Sequence, residues 1–193
     1  MNTEKYLSLT KKYKLLIPVS HAIYRIASSS LTLKDFITGI LRILHNTFNS
    51  SDITIVIHSA HTNSYIKASL NKNKTITVKK GGFKKILLKK EQEMFNNEKI
   101  YISKQFMVIP LIFMNNLGFL TINIEKQNKL QDEFNKTVLV VISEQLSIII
   151  KNFLLYSEHQ HNIYESVKII TKFLGQYSST TKLNIDCFNK IIK

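Results

Sequence analysis

Hydrophobic residues recur at steps of three and four at the beginning of the chain. Over residues 4–27 this spacing predicts an amphipathic helix, which Pro18 would either kink or restart. A second helix is predicted after Ser30, because Thr32 and Asp35 have the spacing of a capping box. The residues expected on its buried face are Phe36, Ile37, Ile40, Leu41 and Leu44.

The period then changes to two, which is typical of β-strands. In the first predicted strand Ile53, Ile55 and Ile57 alternate with Thr54, Val56 and His58. Two more strands are predicted near residues 65–68 and 75–78. The turns between these strands are too short for a parallel crossover, so the sheet is predicted to be antiparallel.

A helical segment follows Gly81-Gly82, and a short strand is predicted at residues 100–102. The most apolar pair of strands is predicted at residues 106–114 and 118–124, joined by the turn Asn115-Asn116-Leu117, with Gly118 supplying the freedom for positive φ. Their nearly continuous apolar character indicates burial on both faces, so helices are expected on both sides of the sheet. Pro110 is expected at an edge or a bulge, because it has no N–H for a ladder.

From Gln131 the helical period returns and is predicted to continue to about Leu174. Apolar residues then repeat at steps of four and three, interrupted only by Gln160. They are Ile142, Leu146, Ile149, Phe153, Tyr156, Ile163, Val167 and Ile170. One small sheet does not need so long a repeat, so its second half is interpreted as a coiled coil with a second copy, parallel or antiparallel. Gly175 and the stretch 178–181 are expected to end the helix.

Length and charge narrow the function classes. The 193 residues suit one domain with extensions, and 27 Lys and Arg against 13 Asp and Glu give a net charge of +14. Such an excess favours a nucleic-acid or an anionic-membrane partner. It is also compatible with a coding bias, since nearly all the basic residues are Lys. The basic stretch Lys72–Lys90 contains one aromatic residue, Phe83, so a solvated face is the preferred interpretation.

Several other classes find no support. The single cysteine, Cys187, forms no disulfide framework and no cysteine zinc site. There is no signal peptide, and the apolar stretch Val138–Ile150 is too short to span a bilayer, so no membrane association is predicted and the chain is expected to be cytoplasmic. No Gly-rich phosphate loop occurs, and the histidines lack metal-ligand spacing, so no metal site and no catalytic residue is assigned.

Three local sequences resemble the GAF domain family. They are Val108-Ile109-Pro110-Leu111 with Gly118-Phe119-Leu120, then Leu130-Gln131-Asp132-Glu133, then Ser143-Glu144-Gln145-Leu146 with the following run to Tyr156. The resemblance implies an α+β fold with an antiparallel sheet of five or six strands. The N- and C-terminal helices would cover one face, and a helical insertion would roof a small-molecule pocket on the other.

The resemblance also divides the chain. Residues 16–157 would form the GAF domain, preceded by a helical extension at 1–15. A signalling, coiled-coil helix would follow at 158–175, and residues 176–193 would be a tail that begins a further domain.

Strand alternation selects candidate pocket residues on the roofed face. Those from the sheet and from the insertion are Thr54, Val56, His58, Phe83, Leu87, Phe95, Phe119, Thr121 and Asn123. A basic lid, Lys79–Lys90, would favour an anionic ligand. If these side chains instead fill the space, they are ordinary core.

Among the cofactors of the family, haem would need His58 as an axial ligand, although a polar residue at a strand end is the simpler interpretation. Cyclic-nucleotide binding is disfavoured because the residue types of the family's cyclic-nucleotide motif occur in a different order in the segment Asn128–Phe134. Bilin attachment needs a cysteine inside the domain, and Cys187 lies beyond it.

The resemblance implies a non-enzymatic sensor or regulatory module of a signalling protein. It would form a homodimer through its terminal helices and pass a ligand or partner signal along the C-terminal helix. The output domain would be an HD-type phosphodiesterase, a diguanylate cyclase or a kinase. Two alternatives remain open: a ligand-free dimerisation scaffold, and a basic nucleic-acid-binding protein.

Overall fold

The computed structural model describes residues 3–96, 98–103, 106–123 and 133–191. Side chains are described in these ranges except at residues 3–13, 133–135 and 174–191. It contains five helices and six strands among these residues. In chain order they are α1 Thr3–Ser29, α2 Leu33–Phe48, β1 Ile53–Ser59, β2 Ser64–Leu70, β3 Ile76–Gly81, α3 Phe83–Ile86, α4 Lys89–Asn96, β4 Tyr101–Ile102, β5 Phe106–Phe113, β6 Asn115–Asn123 and α5 Glu133–Ile191. The chain divides into two compact units, Met1–Leu154 and Leu155–Lys193.

The first two helices begin and end as their sequences predict. α1 is continuous through Pro18, so the proline does not restart the helix. At the start of α2 the Thr32 hydroxyl accepts a hydrogen bond from the Asp35 N–H at 3.2 Å and donates one to the Asp35 carboxylate at 2.6 Å. This confirms Thr32 as the N-cap, although Asp35 accepts from the Thr32 hydroxyl and not from the backbone N–H that a capping box uses. At the other end Asn49 takes the left-handed conformation, with φ of 49°.

The six strands form one antiparallel sheet in the order β3-β2-β1-β6-β5-β4. One face carries Ile53, Ile55 and Ile57 of β1 and packs in a core with α1, α2 and the first part of α5. All five residues predicted for the buried face of α2 are at most 1% exposed. The predicted alternation and the predicted α+β class are therefore confirmed.

The hairpin between β5 and β6 turns one residue earlier than the sequence pattern predicts. Met114, with φ of 60°, makes the turn, so Asn115 and Asn116 already belong to β6. Gly118 lies inside β6 with φ of 150°, where a Cβ would stand 1.9 Å from the Val56 carbonyl oxygen. Its glycine is required by this close approach of two backbones and not by the turn.

Pro110 lies in β5 beyond the stretch that pairs with β4, since β4 reaches only Met107 and Val108. A register shift follows at once, between Leu111 and Ile112. The expectation of an edge or bulge position is confirmed. The missing N–H of Pro110 also weakens this open strand edge as a template for another strand.

α5 is longer than predicted, because its 59 residues continue through Gly175 and through residues 178–181 to Ile191. One glycine costs a helix about 1 kcal/mol, and serine and threonine cost less, so neither ends a helix that contains no proline. The tail expected at residues 176–193 is part of this same helix as far as Ile191. The motif at residues 130–132 lies outside the described residues.

Among the described residues, one helical stretch, Lys136–Phe173, is long and apolar enough to cross a membrane by length and composition, with a mean hydropathy of 1.8 in its most apolar window. The expectation that no stretch has the length for a span is therefore wrong on that criterion. Of the window, 44% is buried within the structure. Since the core helix of a soluble protein passes the same test, the stretch is weak evidence for a span.

Candidate functional site

The second face of the sheet is roofed by α3 and α4, which three kinds of contact hold in place. Lys67 of β2 forms an ion pair with both carboxylate oxygens of Glu91 in α4, at 2.6 and 2.7 Å. The Asn116 amide of β6 donates to the Phe95 carbonyl oxygen at 2.5 Å. Leu87, in extended conformation between the two helices, is buried against the sheet. The helical insertion over this face is thus present as two short helices.

Beneath this roof the predicted pocket residues form a packed cluster. Val56, Leu87 and Phe119 are at most 3% exposed, and they pack with Tyr65 and Val108. Phe83 and Phe95 pack on the cluster from the roof. Large side chains from the roof and from the sheet contact one another across this face, which is the arrangement expected if these residues are ordinary core.

His58 lies in this aromatic region as well. Its ring stacks on Tyr65 with centroids 4.5 Å apart and meets the edge of Phe95 at 5.9 Å. Its Nε2 is buried without a hydrogen-bond partner among the described residues. Because this nitrogen is buried among the chain's own atoms, a haem could reach it only by displacing side chains that cover it, so the residues present do not fit a haem bound through His58. Burial also raises the pKa of the neighbouring Tyr65 phenol.

Three other polar pocket candidates, Thr54, Thr121 and Asn123, lie on β1 and β6, and two of them form side-chain hydrogen bonds. Thr54 shares a hydrogen bond with Ser69 at 2.9 Å and stands opposite Thr121 in the β1–β6 pairing. The Asn123 amide donates to the Asp52 carboxylate at 3.3 Å. These contacts stabilise the ladder between neighbouring strands.

An open cavity of about 260 Å³ lies beside the packed cluster, between α4 and the β4–β5 edge of the sheet. Its lining combines an apolar wall with charged groups. The residues are Lys90, Glu93, Met94, Lys99, Tyr101 and Val108. The Lys90 ammonium also stands 4.2 Å from the centroid of the Phe106 ring, which places a cation over an aromatic face at the cavity.

Sequence reasoning missed five of these six residues and included Lys90 only as part of the basic lid. Met94 shares the helical spacing of Phe83 and Leu87 in the insertion, and Val108 belongs to a strand motif, but neither pattern assigns the residue to a site. Strand alternation does place Val108 on the roofed face, since it pairs with Thr121 of β6 and with Tyr101 of β4. That register could have pointed to the β4–β5 edge.

A second cavity, of about 220 Å³, lies between β5 and α5. Its polar groups are few. The Ser143 and Ser147 hydroxyls both donate to carbonyl oxygens of their own helix, at 2.7 Å, which leaves Glu144 as its charged group. The first cavity therefore offers the more varied chemistry. Among the described residues no group of three or more His, Cys, Asp or Glu could hold a metal ion.

The residues predicted for a dimer helix fall into two sets. Ile142, Leu146 and Ile149 are at most 8% exposed and belong to the core of the first unit, and Phe153 packs on Phe36 with ring centroids 5.3 Å apart. Their assignment to a partner-facing surface is corrected, because the chain's own sheet and helices cover them. The exposed members are Tyr156, Ile163, Val167 and Ile170.

No family model and no curated protein matches the chain. Among solved structures, it is similar to the GAF domain of an Acinetobacter phosphoenolpyruvate-protein phosphotransferase, with a TM-score of 0.56 and 16% identity over 74% of this chain and 97% of that one. The GAF domain of a Coxiella burnetii phosphoenolpyruvate-protein phosphotransferase gives a TM-score of 0.56 and 14% identity over 75% and 98% of the two chains. The A. aeolicus nlh2 GAF domain in an inactive state gives 0.54 and 16% over 72% and 98%. The chain has the GAF domain fold, as its local sequences predicted.

Proposed function

We propose that this chain is a non-catalytic sensor or regulatory module of a signalling protein. The cavity between α4 and the β4–β5 edge carries the proposal, because it is open, partly apolar and bordered by charged groups on the roofed face of a GAF fold. Similar folds occur in two phosphotransferases and in a methyl-accepting chemotaxis protein, the last with a TM-score of 0.50. In this proposal the ligand is a small molecule.

The lining indicates the chemistry of that ligand. Two ammonium groups, Lys90 and Lys99, face one carboxylate, Glu93, so the cavity has a net positive charge. Met94, Val108 and the Tyr101 ring supply an apolar wall. A small organic anion with an apolar body, of the size that about 260 Å³ admits, matches both features.

Signal transmission is assigned to α5. Its first part packs in the core of the domain, and the same continuous helix extends through the second unit to Ile191. We infer that a second copy covers the exposed apolar residues of that unit and that ligand binding shifts the paired helices. The proposed location is the cytoplasm, and the proposed receiver is an output domain such as an HD-type phosphodiesterase, a diguanylate cyclase or a kinase.

A thermal-shift screen of the full chain tests ligand binding. The probes are nucleotides, hemin, amino acids, and small aliphatic and aromatic carboxylates. A ligand that binds only the folded state raises the Tm as its concentration rises. We expect stabilisation by an anionic probe and none by its uncharged amide or ester. Equal shifts with the charged and uncharged forms would contradict the anionic assignment.

The alternative is a dimerisation scaffold without a ligand. The packed cluster around Phe119 favours it, because side chains from the roof and from the sheet pack on one another there. No stabilisation by any probe, together with a stable dimer in light scattering, is the result that this alternative predicts.

A further inference from the structure

The corner formed by β3, α3 and the start of α4 is rich in lysine. No Asp or Glu occurs between Asp52 and Glu91, a stretch that contains nine lysines. Glu91, the first acid to follow, is already paired with Lys67. Glu91 neutralises one lysine in this way, and four others of the corner, Lys79, Lys84, Lys85 and Lys89, are exposed to solvent.

Four of these lysines are exposed on neighbouring elements. Lys79 lies on β3, the edge strand of the sheet, and Lys84 and Lys85 lie on α3. α3 is close to the end of β3, since a Cβ at Gly81 would stand 3.0 Å from the Ile86 side chain and 3.9 Å from that of Lys85. Lys89 begins α4.

An exposed leucine lies in the middle of this basic surface. Leu87 and Leu88 form the connection between α3 and α4, and they face opposite environments: Leu87 is 3% exposed and Leu88 is 68% exposed. The Leu88 N–H donates to the Glu91 carboxylate at 2.9 Å, which fixes the backbone at this position. Leu88 is therefore held outward, with Lys84, Lys85 and Lys89 close to it in the chain.

We propose that this corner, the basic apex, docks on an anionic lipid surface, with Leu88 entering the interfacial region and the lysines contacting headgroup phosphates. Clustered lysines add about 1 kcal/mol each at such a surface, and one leucine supplements them by burial. The chemistry disfavours nucleic acid. Arginine, which forms the forked contacts to phosphates and bases, is absent from residues 53–90, and the phenylalanine and tyrosine of that segment, Phe83 and Tyr65, pack in the cluster under the roof.

Vesicle binding of the full chain tests the proposal. The protein is sedimented with phosphatidylcholine vesicles and with vesicles that also contain phosphatidylglycerol. We expect binding that requires phosphatidylglycerol and that weakens as salt is raised. Changing Lys79, Lys84, Lys85 and Lys89 to Gln should lower the partition coefficient at least about tenfold, given the contribution of each lysine.

Two matched controls separate the apex from the overall charge of the chain. Changing Lys14, Lys34, Arg42 and Lys172 to Gln removes the same charge from exposed positions elsewhere and should weaken binding much less. Leu31, 92% exposed in the connection between α1 and α2, is the control for Leu88. Leu88→Ser should weaken binding about threefold or more, and Leu31→Ser should leave it unchanged.

The remaining outcomes overturn the proposal. Equal binding to neutral and to anionic vesicles would indicate an apolar contact elsewhere on the chain. Equal losses of vesicle binding in the two fourfold variants would indicate that binding depends on net charge alone. If Leu88→Ser binds anionic vesicles as well as the parent chain does, Leu88 does not enter the interfacial region as proposed. Retention on duplex DNA at a salt concentration where anionic vesicles no longer bind would assign the basic apex to nucleic acid.

Discussion

Lys67 and Glu91 form a two-pronged ion pair that ties α4 to β2, with side chains 19% and 17% exposed. Glu91 also accepts the Leu88 N–H, so a single carboxylate joins the sheet, the start of α4 and the connection before it. The position of the roof relative to the sheet therefore depends on this pair.

Removing either partner should destabilise the domain. Lys67→Met leaves a half-buried carboxylate without its cation, and we expect the free energy of unfolding in urea to fall by about 1–2 kcal/mol, between the values for exposed and buried pairs. Lys168→Met is the matched control, because its pair with Glu165 is 64% and 41% exposed, and it should cost less than about 0.5 kcal/mol. Equal losses in the two variants would show that the pair does not hold the roof.

Gly118→Ala should prevent folding or cost more than about 3 kcal/mol. The new Cβ would meet the Val56 carbonyl oxygen at 1.9 Å, and φ is 150°, a conformation that side chains disfavour. Gly82→Ala is the control, since no atom lies within 4 Å of its Cβ position. Circular dichroism and urea unfolding compare the two variants. A well-folded Gly118→Ala protein of normal stability would contradict the observed β1–β6 spacing.

Local periodicity predicted most of the elements, because it reports which face of an element is buried. The Thr32–Asp35 cap and the alternation in β1 needed no knowledge of distant residues. The turn at Met114 did, since Asn115 and Asn116 are better turn residues than methionine. Pairing of Gly118 with Ile57 and Leu111 fixed the register of β6 instead.

The site was less predictable for a related reason. Alternation identified the roofed face, but whether that face is open depends on the volumes of Phe95 and Leu87, which come from another part of the chain. The apolar repeat in α5 likewise does not show which of its residues the domain itself buries. An apolar spacing of three and four is identical for Ile142, which the domain buries, and for Ile163, which is 46% exposed.

The buried phenol of Tyr65 should make the stability of the fold depend on pH in alkaline solution. Its buried phenol has a pKa above the ordinary value of 10.0, so the folded state holds the proton more tightly than the unfolded state. The resulting stabilisation is fully present below pH 10 and is lost as pH rises through the pKa of the folded state. Tyr65→Phe should therefore lose less stability than the parent chain between pH 9 and 11, as measured by urea unfolding. Tyr24→Phe, at a position 57% exposed, should follow the parent profile; if Tyr65→Phe does so too, burial of this phenol contributes nothing.

The cavity can be tested without disturbing the packed cluster. Tyr101 is 50% exposed and forms part of the apolar wall. Tyr101→Ala should remove most of any ligand-induced rise in Tm, while the Tm without ligand changes by less than about 2 °C, as for exposed substitutions in general. Tyr24→Ala, at a similarly exposed tyrosine in α1, should keep the full rise. A full rise in Tyr101→Ala would place the ligand elsewhere.

The two sets of residues along α5 should respond differently to a charge. Val167→Glu alters an exposed position of the second unit, and we expect it to convert a dimer to a monomer in light scattering at micromolar concentration, because a coiled-coil seam does not accept an unpaired carboxylate. The unfolding of the first unit should stay unchanged. Ile149→Glu, at a position 8% exposed in the domain core, should instead lower the stability of the domain by about 3 kcal/mol or more. If Val167→Glu leaves the dimer intact while Ile149→Glu only destabilises the fold, the second unit of α5 does not form the seam.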